Sequence, residues 1–407
     1  MSDLVHDLEL PQIDVAHVRD GPESRLYMGD LAEQNWLIGH PFGFLLTRHE
    51  DCVAVLKDKR WHQASRLLDE MNEITNERYL KRRERPSILS SEGEVHNRLR
   101  RLVSPAFTPR SADRLRPFMR EVINDLVDQF EASGHCDFVT DVCDPYPIPI
   151  ICELLGAPKE DWEKFSYWAT AVFQIFNDDL ADHVDEVVDA FEAIDEYIGD
   201  LVEARRADPR DDLLSDLIAA EEEGDRLSHE ELVMLAEAVI LAGTDTTRNQ
   251  LACALAVFTD HPDQWAQLGS NPELAARATE ESLRYLGAIR GTGRFASEDI
   301  VYRDVLFPAG TVIFPNFVGA NNDKAVFDDP STFDIGRDRS GSSHLTLGFG
   351  LHYCLGANLA RAELQEALTV LSQRMPNLRL DGPIVWKPDG FGIWGPASLP
   401  LAFDPVA

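Results

Sequence analysis

Apolar and polar positions follow two regimes along this chain. From roughly residue 110 to 285 the apolar residues recur at three- and four-residue spacing, and strand-like runs are sparse. The stretches 113–130 and 183–204 carry this pattern, each presenting one apolar face of a helix. Asp208-Pro209 closes the second, because a proline ring cannot continue a helix. The longest run, 230–260, predicts about 31 helical residues, or roughly 46 Å. It is apolar on most faces between Leu232 and Ala242, so the helix should pass through the interior. From Arg294 to Phe317 the period changes to short alternating runs around Pro308-Ala309-Gly310, which read as strands joined by a turn. A Pro/Gly/Asp-rich meander follows, from Asn321 to Ser343.

The pattern predicts a mainly α protein with a smaller β region, in one domain spanning 1–407. The β-rich portions are expected near 40–60, 294–317 and 378–404. No G-x-G-x-x-G lies between a strand and a helix, which argues against a dinucleotide-binding βαβ fold.

Composition narrows the function classes. The chain has 407 residues, with 38 Lys/Arg against 71 Asp/Glu and a net charge of −33. Nucleic acid and anionic membranes are therefore not expected as partners, since phosphates need cations. Disorder does not follow from the charge, because 44% of residues are hydrophobic. The N-terminal residues are acidic and lack a signal-peptide pattern, and no apolar run approaches the roughly 18 residues of a membrane span. The expectation is a soluble, cytoplasmic protein. Six scattered cysteines with no C-x-x-C pair exclude a zinc or disulfide framework.

Two segments break the pattern in ways that suggest chemistry. Inside the long apolar helix stand Gly243, Thr244, Asp245, Thr246 and Thr247. Buried carboxylates and hydroxyls are costly unless something uses them. The other reading is hydroxyls bonded back to carbonyls one turn earlier, with Asp245 on a wet face. The second segment runs from Leu347 to Gly356, with Gly348, Gly350 and Gly356 around Cys354 and a good helix sequence after it. Such a loop suits close approach of a flat group. The helix N-terminus should lower the pKa of Cys354 and hold a thiolate, as an axial haem ligand requires. Against this stands a plain buried cysteine in a Gly-rich turn.

The loop resembles the haem signature of the cytochrome P-450 family, Phe-Gly-x-Gly-x-His-x-Cys-x-Gly, with Leu347 in place of the Phe. Glu281 and Arg284 resemble that family's Glu-x-x-Arg helix motif, and Arg337 matches the meander arginine that joins the pair. Residues 242–247 resemble its oxygen-activation motif. His96 and Arg100 match a His-x-x-x-Arg, and Arg294 and His344 match further contacts to the haem propionates. The resemblance implies the cytochrome P-450 fold, with haem b between the long central helix and the helix after the Cys loop. Cys354 would be the iron ligand, and Gly348, Gly350 and Gly356 would shape its loop. Asp245 and Thr246 would form the proton relay. The network of Glu281, Arg284 and Arg337 would be scaffolding.

The chain looks most like the soluble bacterial type. That implies a monomer which takes electrons from a separate ferredoxin and an NAD(P)H-dependent reductase. The implied activity is hydroxylation or epoxidation of a small hydrophobic substrate with O2. Alternatives on this scaffold are oxidative coupling or ring formation, a peroxygenase, and a non-catalytic haem sensor or carrier. By analogy, substrate-facing positions are Phe173, Phe176, Val239, Ala242, Ala288, Ile289, Thr292, Ile393 and Trp394, with Arg290 expected to face solvent. Residues 81–120 hold 11 Lys/Arg against four acids. Arg98, Arg101 and Arg110 in this segment are expected to form a docking face for an acidic ferredoxin.

Overall fold

The computed structural model describes the chain except residues 1, 15–20, 65–68, 70–72, 177–179, 223–226, 339–342, 388–392 and 406–407, and the side chains at 21, 159, 162 and 176. The central helix, His229–Thr259, starts at a capping box. The Ser228 hydroxyl accepts from Glu231 N, and the Glu231 carboxylate accepts from Ser228 N. The helix runs unbroken through Gly243. A Cβ there would lie 2.2 Å from Ile151 Cδ1, so the glycine serves close approach of the helix Pro147–Leu155. The 113–130 pattern becomes Pro109–Asp128, capped by the Thr108 side chain, with Pro at the first position. The 183–204 pattern becomes Leu180–Ala207, ending just before Asp208-Pro209.

These helices, with the Cys-loop helix Ala357–Arg374, pack around the central helix to form the main core. A second core lies under a five-stranded sheet. The strand order is Leu37–His40, Gly43–Leu46, Val312–Pro315, Arg294–Ala296, Trp61–Gln63, with Gly43–Leu46 parallel to Val312–Pro315. Ile300–Tyr302 and Val305–Phe307 pair in a smaller sheet. The expected β-rich portion 40–60 is only partly strand: His49–Lys57 is a helix, burying Cys52, Val55 and Leu56 at helical spacing. The 378–404 region supplies four short strands, one of which pairs with His135–Asp137 inside the helical part.

Candidate active site

The Cys loop is fixed by its own backbone. Gly348 N donates to Leu345 O at 2.7 Å, and Cys354 N donates to Leu347 O at 2.9 Å. Gly348 and Gly350 have φ of +72° and +71°, which favours glycine. A Cβ on Gly350 would also lie 2.1 Å from Leu56 O. Gly356 differs: its φ is −80°, and open space surrounds the place of a Cβ. Cys354 precedes the helix Ala357–Arg374 and keeps part of its surface accessible. The expected lowering of its pKa is not what the structure gives. Burial raises the thiol, against the opposing pull of Gly356 N–H, Arg100 and Arg361.

Cations gather beside this loop. Arg100 donates to Tyr353 O at 2.6 Å. His96, one turn earlier on the helix Gly93–Val103, lies 4.3 Å from His352 between ring centroids. Burial, then the positive neighbours His352 and Arg100, push the His96 pKa down to about 4, and its Nδ1 is buried with no hydrogen-bond partner among the described residues. Arg294, 4% exposed, donates to Gln63 Oε1, Thr292 Oγ1 and Gly293 O, all neutral, and burial lowers its pKa to about 10. Glu92, the carboxylate that acts on Arg294, also lies 3.2 Å from His352 Nε2. A buried arginine on neutral acceptors, close to a repelling His/Arg cluster, calls for an anion. His344 sits apart from these contacts, 3.4 Å from Glu280, which Arg361 also pairs. Burial alone would raise the Glu280 carboxyl, but His344 and Arg361 hold it well below the usual range.

The motif on the central helix resolves into two sides. Ala242 is exposed although Leu241 and Thr244 are buried, and Thr246, one turn on, is half-buried. Space therefore opens along that side. Both hydroxyls bond back, Thr246 Oγ1 to Ala242 O at 2.8 Å and Thr244 Oγ1 to Leu241 O at 3.1 Å. Asp245 is not on a wet face. It is 6% exposed, 2.5 Å from Arg248 Nη2 and 4.0 Å from Lys387 Nζ. Arg248 also reaches Asp144 at 3.2 Å. Thr247 points the other way and donates to Glu363 Oε2 at 3.1 Å. Glu363 is 1% exposed, and burial pushes its pKa up to about 8.

The remaining positions divide. Glu281, Arg284 and Arg337 meet: Arg284 Nη2 donates to Glu281 Oε1 at 2.6 Å and Arg337 Nε to the same oxygen at 3.1 Å. Both arginines also donate to Thr332 O, tying the helix Ala275–Tyr285 to the meander. Ile289 and Ile393 form an isolated bridge, and Ala288 O accepts from Trp394 N at 3.0 Å. Val239 is in the main core and Phe173 packs against it. The Phe176 side chain lies outside the described residues. Trp394 is buried in packing of its own, stacked 4.7 Å on Trp386 with Arg290 over its ring. Arg290 also donates to Ser24, so it is not solvent-facing. Arg98 pairs with Glu231 on the central helix, which removes it from an open docking face, while Arg101 and Arg110 are exposed.

Sequence reading missed Glu363, Asp144 and Lys387. Glu363 had a local signal, an acid inside the apolar stripe of its helix, whereas Asp144 and Lys387 reach the site only through the fold.

An iron macrocycle with two carboxylates fits these residues. Cys354 offers an accessible soft ligand, Gly356 leaves room beside it, buried Arg294 and half-buried Arg100 supply cations, and His96 adds a buried neutral imidazole. The comparisons agree. The family model described as cytochrome P-450 matches residues 158–375. The chain is 37% identical to nocardicin C N-oxygenase of Nocardia uniformis subsp. tsuyamanensis, over 89% of this chain and 91% of that one. It is 38% identical to mycinamicin IV hydroxylase/epoxidase of Micromonospora griseorubida, over 89% and 91%. The solved structure of CalO2 superposes with a TM-score of 0.89 at 28% identity, covering 97% of this chain and all of that one. No helix among the described residues is long and apolar enough to cross a membrane. The chain belongs to the cytochrome P-450 family of monooxygenases, whose cofactor is haem.

Proposed function

We propose that this monooxygenase hydroxylates or epoxidises a small hydrophobic substrate, with electrons delivered by a separate ferredoxin and its NAD(P)H-dependent reductase. One oxygen atom of O2 enters the substrate and the other leaves as water. The observation that carries this reading is the glycine-shaped loop, which leaves Cys354 accessible with Arg100 bonded to the loop at Tyr353 O. Haem, when bound, supplies the oxygen-activating chemistry. Cys354 Sγ would hold the iron. Arg294, Arg100 and His96 would hold the haem carboxylates, and His344 would act at second hand through Glu280 and Arg361.

The protein's own part is proton supply and positioning. Asp245, held by Arg248 and near Lys387, takes a proton from the outer side and passes it toward Thr246. Thr246 Oγ1 donates to Ala242 O and keeps its lone pairs for the accessible side. Exposed Ala242 is apolar, and the bridged pair Ile289 and Ile393 would extend an apolar lining that suits a hydrophobic substrate. Mycinamicin IV hydroxylase/epoxidase and nocardicin C N-oxygenase are named for oxidation at different atoms, so the bond attacked here depends on pose within this lining.

Two measurements test the reading. The reduced protein with carbon monoxide should show the red-shifted Soret band of a thiolate complex, and Cys354→Ala should lose it. A variant that kept the band would overturn the ligand assignment. Thr246→Ala should release several-fold more peroxide per NAD(P)H consumed, by interrupting a relay of the kind worth about 10²–10⁴ in rate. Coupling unchanged from wild type would remove Thr246 from the relay.

A further inference from the structure

An irregular stretch joins the helix Ala275–Tyr285 to the strand Arg294–Ala296, and it carries Ala288 and Ile289. Leu286 and Ala288 are buried in it, so their backbone groups need partners inside the protein. Neighbouring strands supply some of these. Ala288 O accepts from Trp394 N at 3.0 Å, and Ile289 bridges to Ile393. Further on, Gly291 bridges to Asn316, and Thr292 N donates to Pro315 O at 3.2 Å. At Leu286 O and Ala288 N the partner is a side chain, Gln250 of the central helix. Its Nε2 donates to Leu286 O at 3.2 Å, and its Oε1 accepts from Ala288 N at 2.9 Å. A carbonyl can only accept and an N–H can only donate, so this amide orientation alone satisfies both.

Gln250 is 4% exposed, so water does not stand in for either bond. Ala242, Thr246 and Gln250 follow at spacings of four along the central helix and share one face. That face is open at Ala242, half-buried at Thr246 and closed at Gln250. The glutamine thus ties residues 286–288 to the same face whose open end bears Ala242 and Thr246. Gly287 is held from another direction, since a Cβ there would lie 2.4 Å from Thr346 Oγ1. Thr346 Oγ1 donates to Leu283 O at 2.6 Å and accepts from Asn321 Nδ2 at 2.9 Å. It precedes Leu347, whose carbonyl accepts from Cys354 N. The stretch is therefore clamped between the Cys-loop side, the chain at 393–394 and the central helix. The Gln250 amide is the clamp to the helix that carries Thr246.

We propose that Gln250 is a positioning residue that sets the place of Ala288 and Ile289 in the substrate wall and thereby selects substrates by shape. The proposal rests on reading the side at Ala242 and Thr246 as the substrate side. Gln250 acts through the backbone at 286–288 rather than by touching the substrate. Without its amide, Ala288 N–H and Leu286 O are buried and unpaired, and the stretch moves to find other partners. That movement carries Ile289 with it and changes the wall. A proline at 288 would have no N–H to satisfy, so the stretch would then depend less on Gln250.

The test uses the haem-loaded protein and two iron ligands, 4-phenylimidazole and imidazole, titrated by the Soret shift of iron ligation. The phenyl group meets the wall, whereas imidazole alone does not reach it. In Gln250→Leu the ratio of the two dissociation constants should change about 3- to 10-fold, roughly the worth of one net hydrogen bond. Amide hydrogen exchange in the peptide holding Ala288 should quicken. Adding Ala288→Pro to that variant should bring the ratio back toward wild type. Gln250→Glu is a second rescue, compared with wild type at about pH 5, where a buried carboxyl keeps its proton. It still accepts from Ala288 N and donates to Leu286 O, and should hold the wild-type ratio. A Gln250→Leu protein with faster exchange but an unchanged ratio would make the bond purely structural and overturn the proposal. A changed ratio that neither rescue restores would overturn it too. Failure of the site reading looks different. Ala242→Phe fills the accessible side and should abolish 4-phenylimidazole binding; unchanged binding would place the substrate side elsewhere, whatever Gln250 does.

Discussion

Glu363 shows how one residue links packing to proton chemistry. Its carboxyl faces Thr247 at 3.1 Å, its Oε1 is buried with no hydrogen-bond partner among the described residues, and its backbone carbonyl accepts from Tyr146 Oη. Burial makes the neutral acid the stable form and raises the pKa from 4.5 to about 8. The native state therefore keeps a proton that the unfolded chain releases near pH 4.5. Stability falls as pH rises between those two values, and is fully present only below the lower one. Replacing Glu363 with Gln removes the titration. Comparing ΔG of unfolding at pH 5 and pH 8.5, wild type should lose on the order of 2–4 kcal/mol more than Glu363→Gln, at about 1.4 kcal/mol per pH unit. Parallel profiles for the two proteins would mean that the acid ionises freely in the fold.

At the scale of elements, the central helix decides how close its neighbours stand. A glycine in a helix interior normally costs about 1 kcal/mol against alanine. At Gly243 the added Cβ would meet Ile151 Cγ1 at 2.7 Å as well as its Cδ1, so the usual gain reverses. Gly243→Ala should destabilise by about 1–3 kcal/mol through overpacking. In an Ile151→Ala background the same change should cost nothing, a coupling that a double-mutant cycle in urea measures directly. Additive losses would show that the helices do not meet there.

The same helix explains what was legible in the sequence. Its length, its interior course and its polar interruption are local periodicities, and so are the glycines around Cys354 and the Glu281/Arg284 spacing. Partners were not legible, because ion pairs depend on chain segments far apart in sequence. Glu231 takes Arg98, and Lys387 approaches Asp245. Short elements were also hidden, since the helix His49–Lys57 carries Val53, Val55 and Leu56 in a run that reads equally well as strand.

At the scale of the whole molecule, the charge of −33 has to be set against where the cations go. Arg82 and Arg98 pair with carboxylates of the central helix, and Arg284 and Arg337 with Glu281. Cations drawn inward in this way leave the acidic excess at the surface, where it repels itself. Added salt screens that repulsion over about 10 Å at 0.1 M, while enclosed pairs feel it far less. Salt should therefore stabilise the fold, with Tm rising by several degrees between about 0.05 and 1 M KCl. Electron delivery should respond with the opposite sign. If an acidic ferredoxin docks at exposed Arg101 and Arg110, the same salt slows reduction of the haem, and charge reversal at either arginine slows it at low salt only. Arg98→Glu, by contrast, should lower Tm, because it sets a like charge against Glu231. A Tm that fell with KCl would mean that exposed pairs such as those of Arg78 with Asp189 and Glu192, rather than the net charge, dominate the surface. A reduction rate indifferent to both arginines would place the ferredoxin elsewhere.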